Sequence, residues 1–238
     1  MRIEITCPQC MREPHNDNGF RLFKMQPQQL IDDGIHRVVC EKGHEYIVEL
    51  KAQKFEMLFD IAVNAISDGY MREAVASFAA SLERFYEFFI KYHIHSLGID
   101  ESILLDTWKE VSNQSERQLG AFTFLFLAKY NEKAQVLESN TVGFRNKVIH
   151  KGYIPTEKEA IDFGDKVYSI IKSTAQKLEL SDKERLYSYY NSCLPSSRGA
   201  KYSLTKQSKA ISMSHITNGT SFRDYKSILK QFRIVDVR

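Results

Sequence analysis

Cys7-Pro8-Gln9-Cys10 places two thiols with two residues between them, and Cys40-Glu41-Lys42-Gly43-His44 places a third thiol with three residues before an imidazole. Tight turns bring two soft donors to one ion, and Gly43 permits the turn just before His44. A Cys3His shell suits tetrahedral Zn2+. With all four positions filled by protein, the site is expected to be structural, with no open catalytic place. His15 and His36 compete with His44 as the fourth ligand. Cys193 stands alone and reads as an ordinary thiol.

A second polar group lies in Phe144-Arg145-Asn146-Lys147-Val148-Ile149-His150-Lys151-Gly152-Tyr153-Ile154-Pro155. The spacing predicts a short helix from about Thr141, with Asn140 as N-cap and Gly152 as the left-handed stop. Asn146 and His150 share a face. Arg145 lies about 140° around the helix from His150, and its side chain can curl toward that face or reach a partner molecule. Val148 and Ile149 anchor the helix to a core. Imidazole moves protons near neutral pH, and guanidinium grips phosphate oxygens. A purely structural reading competes: an Arg and a His at a helix end that cap carbonyls or pair with a carboxylate.

The elements that must position these groups follow from composition and periodicity. Residues 1–51 are β-rich, with expected strands at Phe20–Met25, Ile35–Cys40 and Glu45–Leu50. Helical periodicity then takes over, and proline is absent from 52 to 154. Expected helices cover Ala52–Ser67, Tyr70–Ser96, Glu101–Ser112 and Glu116–Lys129, the last with the apolar core run Ala121–Ala128. After the motif helix, Thr156 and Glu159 form a capping box that opens a closing helix to about Leu178. These helices share one core, so the fold class is mainly α, a helical bundle with a small β-rich N-terminal module. Residues 192–209 read as loop, followed by a strand at Ile211–His215 and a basic amphipathic segment at Phe222–Phe232.

The motif and its setting resemble the HEPN superfamily. Arg145, Asn146 and His150 match its Arg-polar-spacer-His signature. Glu83-Arg84 inside a long apolar helix, Gly152-x-x-Pro155 and Glu159-Ala160 in the closing helix match its context. The resemblance covers about 52–180. It implies a dimer in which two motif helices face each other and cleave RNA without a catalytic metal. Such cleavage would leave 2′,3′-cyclic phosphate and 5′-hydroxyl ends. His150 would act as acid and base on the 2′-OH and the 5′-oxygen, and its place at a helix C-terminus favours the charged imidazole. Arg145 would hold the nonbridging oxygens, and Asn146 would orient His150 or bind phosphate. Glu83, Lys151 and Tyr153 are candidate supporting residues. Some toxin members carry a Tyr two residues after the His, where this chain has Gly152 followed by Tyr153. Residues 1–51 resemble a zinc ribbon.

The remaining composition bounds the alternatives. The 238 residues are 43% hydrophobic and 26% charged, which excludes wholesale disorder. No long apolar run predicts a membrane span, and the N-terminus shows no secretory signal, so a cytoplasmic chain is expected. Residues 195–238 hold nine Lys/Arg and two acids, +7, against −4 for the rest. A basic extension over 181–238 is therefore expected either to contact a polyanion or to act as a solubilising end. The organisation is a zinc-ribbon-like module at 1–51, a HEPN-like bundle at 52–180 and that extension. The expected activity is that of an endoribonuclease, of toxin or antiviral type, with RNA, a second copy and a regulatory or neutralising protein as partners. The alternative is a non-catalytic RNA- or nucleotide-binding adaptor or scaffold.

Overall fold

A computed structural model describes residues 2–12, 26–197, 203–213 and 224–232. The protein is mainly helical with a small sheet region. It divides into two compact units, Met1–Ala52 with Cys193–Ser208, and Gln53–Ser192 with Lys209–Arg238. The extension expected over 181–238 is thus not a separate body. Its residues are shared between the two units.

In the first unit β1 (Arg2–Ile5) pairs antiparallel with β2 (Gln26–Gln29), Ile5 opposite Gln26. Helix α1 (Pro8–Arg12) follows Cys7 directly, with Pro8 at the first helical position where its missing N–H costs nothing. β3 (Ile35–Val39) and β4 (Glu45–Leu50) form an antiparallel pair, His36 opposite Val48. Alternation buries His36 and Val38 and exposes Arg37 and Val39, the two-residue period of a half-buried strand. β5 (Ser203–Lys206) adds in parallel to β4, Ile47 opposite Ser203. That segment reads as loop in the sequence, because four residues are too few to show a period and pairing decides the conformation. The Glu49 carboxylate clasps the returning chain. It accepts from Ser197 N at 2.7 Å and pairs with Lys51 Nζ at 2.8 Å, while Lys51 also donates to Pro195 O at 2.6 Å. Lys51 and then Ser197 hold the Glu49 carboxyl at about 2. The strand expected at Phe20–Met25 lies outside the described residues.

The second unit is built on α3 (Met71–Ser96), which packs against α2 (Lys54–Ser67), α4 (Glu101–Ser112), α5 (Ser115–Tyr130), α6 (Ser139–Lys151), α7 (Glu157–Ser181) and α8 (Lys183–Ser192). Its Ala74, Phe78, Phe85 and Phe89 are wholly buried. Phe78 meets Phe59 of α2, Phe85 meets Phe55 of α2, and Phe89 meets Phe122 and Phe126 of α5 in ring contacts. Only one face of α5 meets α3, so the run read as core is split: Phe122 and Phe126 are buried, while Phe124 is 74% exposed. Helix α6 starts at Ser139 with Glu138 as N-cap rather than Asn140. Thr156 and Glu159 form the expected box at α7. Residues 211–213 are not a strand; Ser214 and His215 lie outside the described residues. Two buried acids of α2 hold that segment by its backbone. Asp60 accepts from Lys209 N at 2.8 Å and Ala210 N at 2.7 Å, and Glu56 accepts from Met213 N at 2.5 Å and Tyr190 OH at 2.9 Å.

The basic amphipathic segment becomes α9 (Tyr225–Gln231). Tyr225 stacks on Tyr168, with ring centroids 5.7 Å apart. A Cβ at Gly164 would lie 2.1 Å from the Tyr225 hydroxyl and 2.7 Å from the Phe78 ring, so this approach requires bare backbone. Gly164→Ala is expected to lower stability by about 1–3 kcal/mol through overpacking and to make residues 209–232 the first site of limited proteolysis. An unchanged melting curve and digestion pattern would refute that dependence.

His93 is buried among Phe89, Tyr92 and Tyr130. Burial, aided by Lys129, holds its imidazole at about 4, below the ordinary 6.5. The unfolded chain therefore takes up a proton that the folded chain refuses. The stability His93 contributes is present above pH 6.5 and is lost as pH falls toward 4. His93→Phe is expected to flatten the stability-versus-pH curve over that window, as followed by denaturant titration.

Candidate functional site

The first site is a cluster of four metal-ligand side chains. Cys7 precedes α1, and Cys10 lies within it. Cys40 and His44 bracket the β3–β4 turn, closed by Gly43 N donating to Cys40 O at 2.8 Å and Cys40 N to His44 O at 3.0 Å. Gly43 has φ +79°, the left-handed region that glycine enters without strain. His44 Nδ1 lies 3.7 Å from Cys7 Sγ and 3.4 Å from Cys10 Sγ, and Cys10 Sγ lies 3.8 Å from Cys40 Sγ. All four donor atoms fall within 4.8 Å of one another. A tetrahedral ion with ordinary zinc bond lengths needs edges of about 3.8 Å between sulfurs and about 3.5 Å between sulfur and nitrogen. The donors match that size. Burial, then the neighbouring Cys7 and Cys40, push the Cys10 thiol up to about 11, and a cation would offset that cost. The group can hold a metal ion such as zinc.

Of the competing imidazoles among the described residues, His44 is in the cluster. His36 is buried on β3 outside it, and its Nε2 has no hydrogen-bond partner among the described residues. Burial lowers its pKa. His15 lies outside the described residues. Cys193 is exposed and is not part of the cluster.

The second site is on α6. Arg145 reaches α3, where Nη2 pairs with Glu83 Oε1 at 2.5 Å, while Nη1 donates to Asn146 Oδ1 at 3.1 Å. The Arg145 and Glu83 side chains are 19% and 28% exposed, so the pair is open to a ligand. His150 is exposed on the last turn. Gly152 at φ +70° closes the helix, with its N–H on Lys147 O. Asn146 is committed to Arg145 rather than to His150 in the single chain. The structure thus joins Glu83, Arg145 and Asn146 and leaves His150 open to solvent, one turn beyond Asn146.

No protein-family model, curated protein or solved structure matches the chain. The reading of the site therefore rests on its own geometry. No helix of the described residues is long and apolar enough to cross a membrane.

The other residues singled out have separate places. Tyr153 OH donates to Glu159 at 3.0 Å, and Lys147 Nζ lies 3.5 Å from the Tyr153 ring centroid. Tyr153 is thereby tied to the start of α7. Lys151 is exposed on the last turn of α6 beside His150.

Sequence reasoning missed the cleft beside Arg145. It has a volume of about 120 Å³ and lies between α3, the start of α5 and α6, with Leu82, Glu83, Tyr86, Leu119, Val142 and Arg145 in its walls. No motif marks it, because its residues come from three helices and the loop before α6 and read as ordinary core.

Proposed function

We propose that the helical unit is a metal-independent endoribonuclease of HEPN type that works as a dimer. The observation that carries this reading is the Glu83–Arg145–Asn146 network beside an exposed His150 at the capped end of one helix. RNA supplies the nucleophile. His150 takes the 2′-OH proton in its neutral form and protonates the 5′-oxygen in its charged form. Arg145, held by Glu83 in a fixed posture, keeps N–H donors for the nonbridging oxygens and offsets the charge that builds on them. Asn146 fixes the other edge of the guanidinium. A second copy supplies the opposing His150, since one chain does not bring Arg145 and His150 together. Lys151 adds positive charge next to the phosphate path.

The test is incubation of single-stranded RNA with purified protein in EDTA, with product ends analysed for 2′,3′-cyclic phosphate and mass in solution measured for the dimer. Arg145→Ala is expected to weaken RNA binding and the rate together, since a phosphate clamp acts in ground and transition states alike. One observation favours a second reading, a non-catalytic RNA-binding adaptor: the Arg145 guanidinium is already ion-paired. Stable binding without any cut product would establish that reading instead.

For the first unit we infer a structural Zn2+ held by Cys7, Cys10, Cys40 and His44 in a zinc-ribbon-like module. Three soft thiolates with one imidazole favour zinc over harder ions. Elemental analysis of protein purified without added metal is expected to find one zinc per chain. The basic residues of the C-terminal segment add a polyanion contact, read out as salt dependence of RNA binding.

A further inference from the structure

The cleft beside Arg145 has the shape and chemistry of a ligand site rather than a packing defect. Its floor is apolar, from Ala79, Leu82, Leu119, Leu137 and Val142. Tyr86 is 4% exposed and stacks on Phe122 at 4.2 Å, so its ring is fixed. Its hydroxyl has no hydrogen bond among the described residues, although Tyr86 lines the cleft. The hydroxyl is not one of the buried polar atoms that lack a partner, so it reaches the cleft surface, where a ligand acceptor can take the place of water. Glu83, Glu116 and Arg145 bring two carboxylates and one guanidinium to the walls. At about 120 Å³ it is smaller than the roughly 150 Å³ cavity that holds benzene, so it takes the edge of one flat ring and leaves the rest outside.

We propose that this cleft is a nucleobase pocket. It takes one unstacked base, with the exocyclic amino group directed to the carboxylates and a ring or carbonyl acceptor to the Tyr86 hydroxyl. Flat, largely apolar faces suit the floor. Amino donors suit Glu83 and Glu116, so adenine, cytosine and guanine are favoured over uracil, which has no amino group. Unpaired bases of RNA are recognised in this way, splayed out of the stack and read on their edges. The proposal rests on the ribonuclease reading only for its placement: Arg145 lines the cleft and would also hold the phosphate, so the pocket would select the base next to the cut. A base from an RNA strand and a base from a free nucleotide share this chemistry, and the test separates them.

The experiment measures binding to short 2′-O-methyl RNA, which cannot be cleaved, with each of the four bases at one position in an otherwise uniform uracil strand. Free AMP, CMP, GMP and UMP are measured in parallel. Amino-bearing bases are expected to bind about tenfold more tightly than uracil. Leu119→Trp, which fills the cleft, is expected to bring the four bases within twofold of one another. Tyr86→Phe, which keeps the ring and removes the hydroxyl, is expected to weaken the favoured bases at least threefold. Circular dichroism and melting curves check both variants for folding, and Tyr86→Phe decides the matter if Leu119→Trp fails to fold. Preference in the strand alone identifies a substrate base, and equal preference among free nucleotides identifies a nucleotide ligand; either supports the pocket. A wild type without base preference overturns it, as does a preference that survives in folded Leu119→Trp, or an unchanged affinity for the favoured bases in folded Tyr86→Phe. Loss of a dimer in Leu119→Trp with no base preference in the wild type also overturns it, and assigns the cleft to a side chain of a second copy. Because the strand cannot be cut, a base preference in protein that never cleaves unmodified RNA would retain the pocket and remove the ribonuclease reading.

Discussion

Single-stranded RNA incubated with the wild-type protein in excess EDTA is expected to be cut, and His150→Ala is expected to lower the rate by about 10²–10⁴-fold. The size follows from the role. An imidazole that moves a proton in the transition state contributes to the rate and little to ground-state affinity. RNA binding by the variant should therefore stay within about twofold of wild type. Folding should also be intact, because His150 is exposed and lies on the final turn of α6. Replacement of the 2′-OH by hydrogen at the cut site should remove cleavage in the wild type, since the attacking oxygen is gone. A cut rate indifferent to 2′-deoxy substitution would rule out this chemistry. Mixing His150→Ala chains with wild-type chains should give activity that tracks the fraction of wild-type pairs if both copies of the residue act at one groove.

Loss of the metal should have the largest effect on structure. Cys40→Ser, or a strong chelator, is expected to unfold the sheet unit, in which a small buried cluster of the described residues, Ile3, Ile5, Val38, Tyr46 and Val48, packs around Cys7 and Cys40. Metal binding by small zinc modules is worth on the order of 10 kcal/mol, more than so small a core supplies. The effect should extend to residues 193–208, because β5 has β4 as its strand partner. Hydrogen exchange should show lost protection for β4 amides and retained protection in α3 and α7. Full protection of β4 in metal-free protein would refute the metal's structural role.

Much of this molecule is legible in its residues. The stripe of Ala74, Phe78, Leu82, Phe85 and Phe89 is enough to find α3, because a long helix buried on one side repeats its pattern many times. The two cysteine turns are legible because ligand chemistry constrains spacing directly. Illegible were α1, β1, β2, β5 and α8, which are short or take their form from a distant partner. The Ser203–Lys206 strand has no pattern of its own and exists through β4. The Arg145–Glu83 pair joins two helices 62 residues apart in the chain, and only helix packing brings them together. The cleft was hidden for a different reason: Leu119 and Val142 look like any core residue until the space between them is seen.

Strand β5 also sets an order on events at the ribosome. All four ligand residues emerge within the first 44 positions, yet Ile47 must wait for Ser203 before its strand gains its second neighbour. At about 5–20 residues per second, that interval is on the order of 10–30 s. Throughout it, β4 presents an unpaired edge, the kind of surface that nascent chains use to stick to one another. Early capture of the ion would hold the first hairpin together in the meantime. Cells starved of that ion should consequently lose the protein during synthesis, as insoluble nascent product, while mature molecules made beforehand persist.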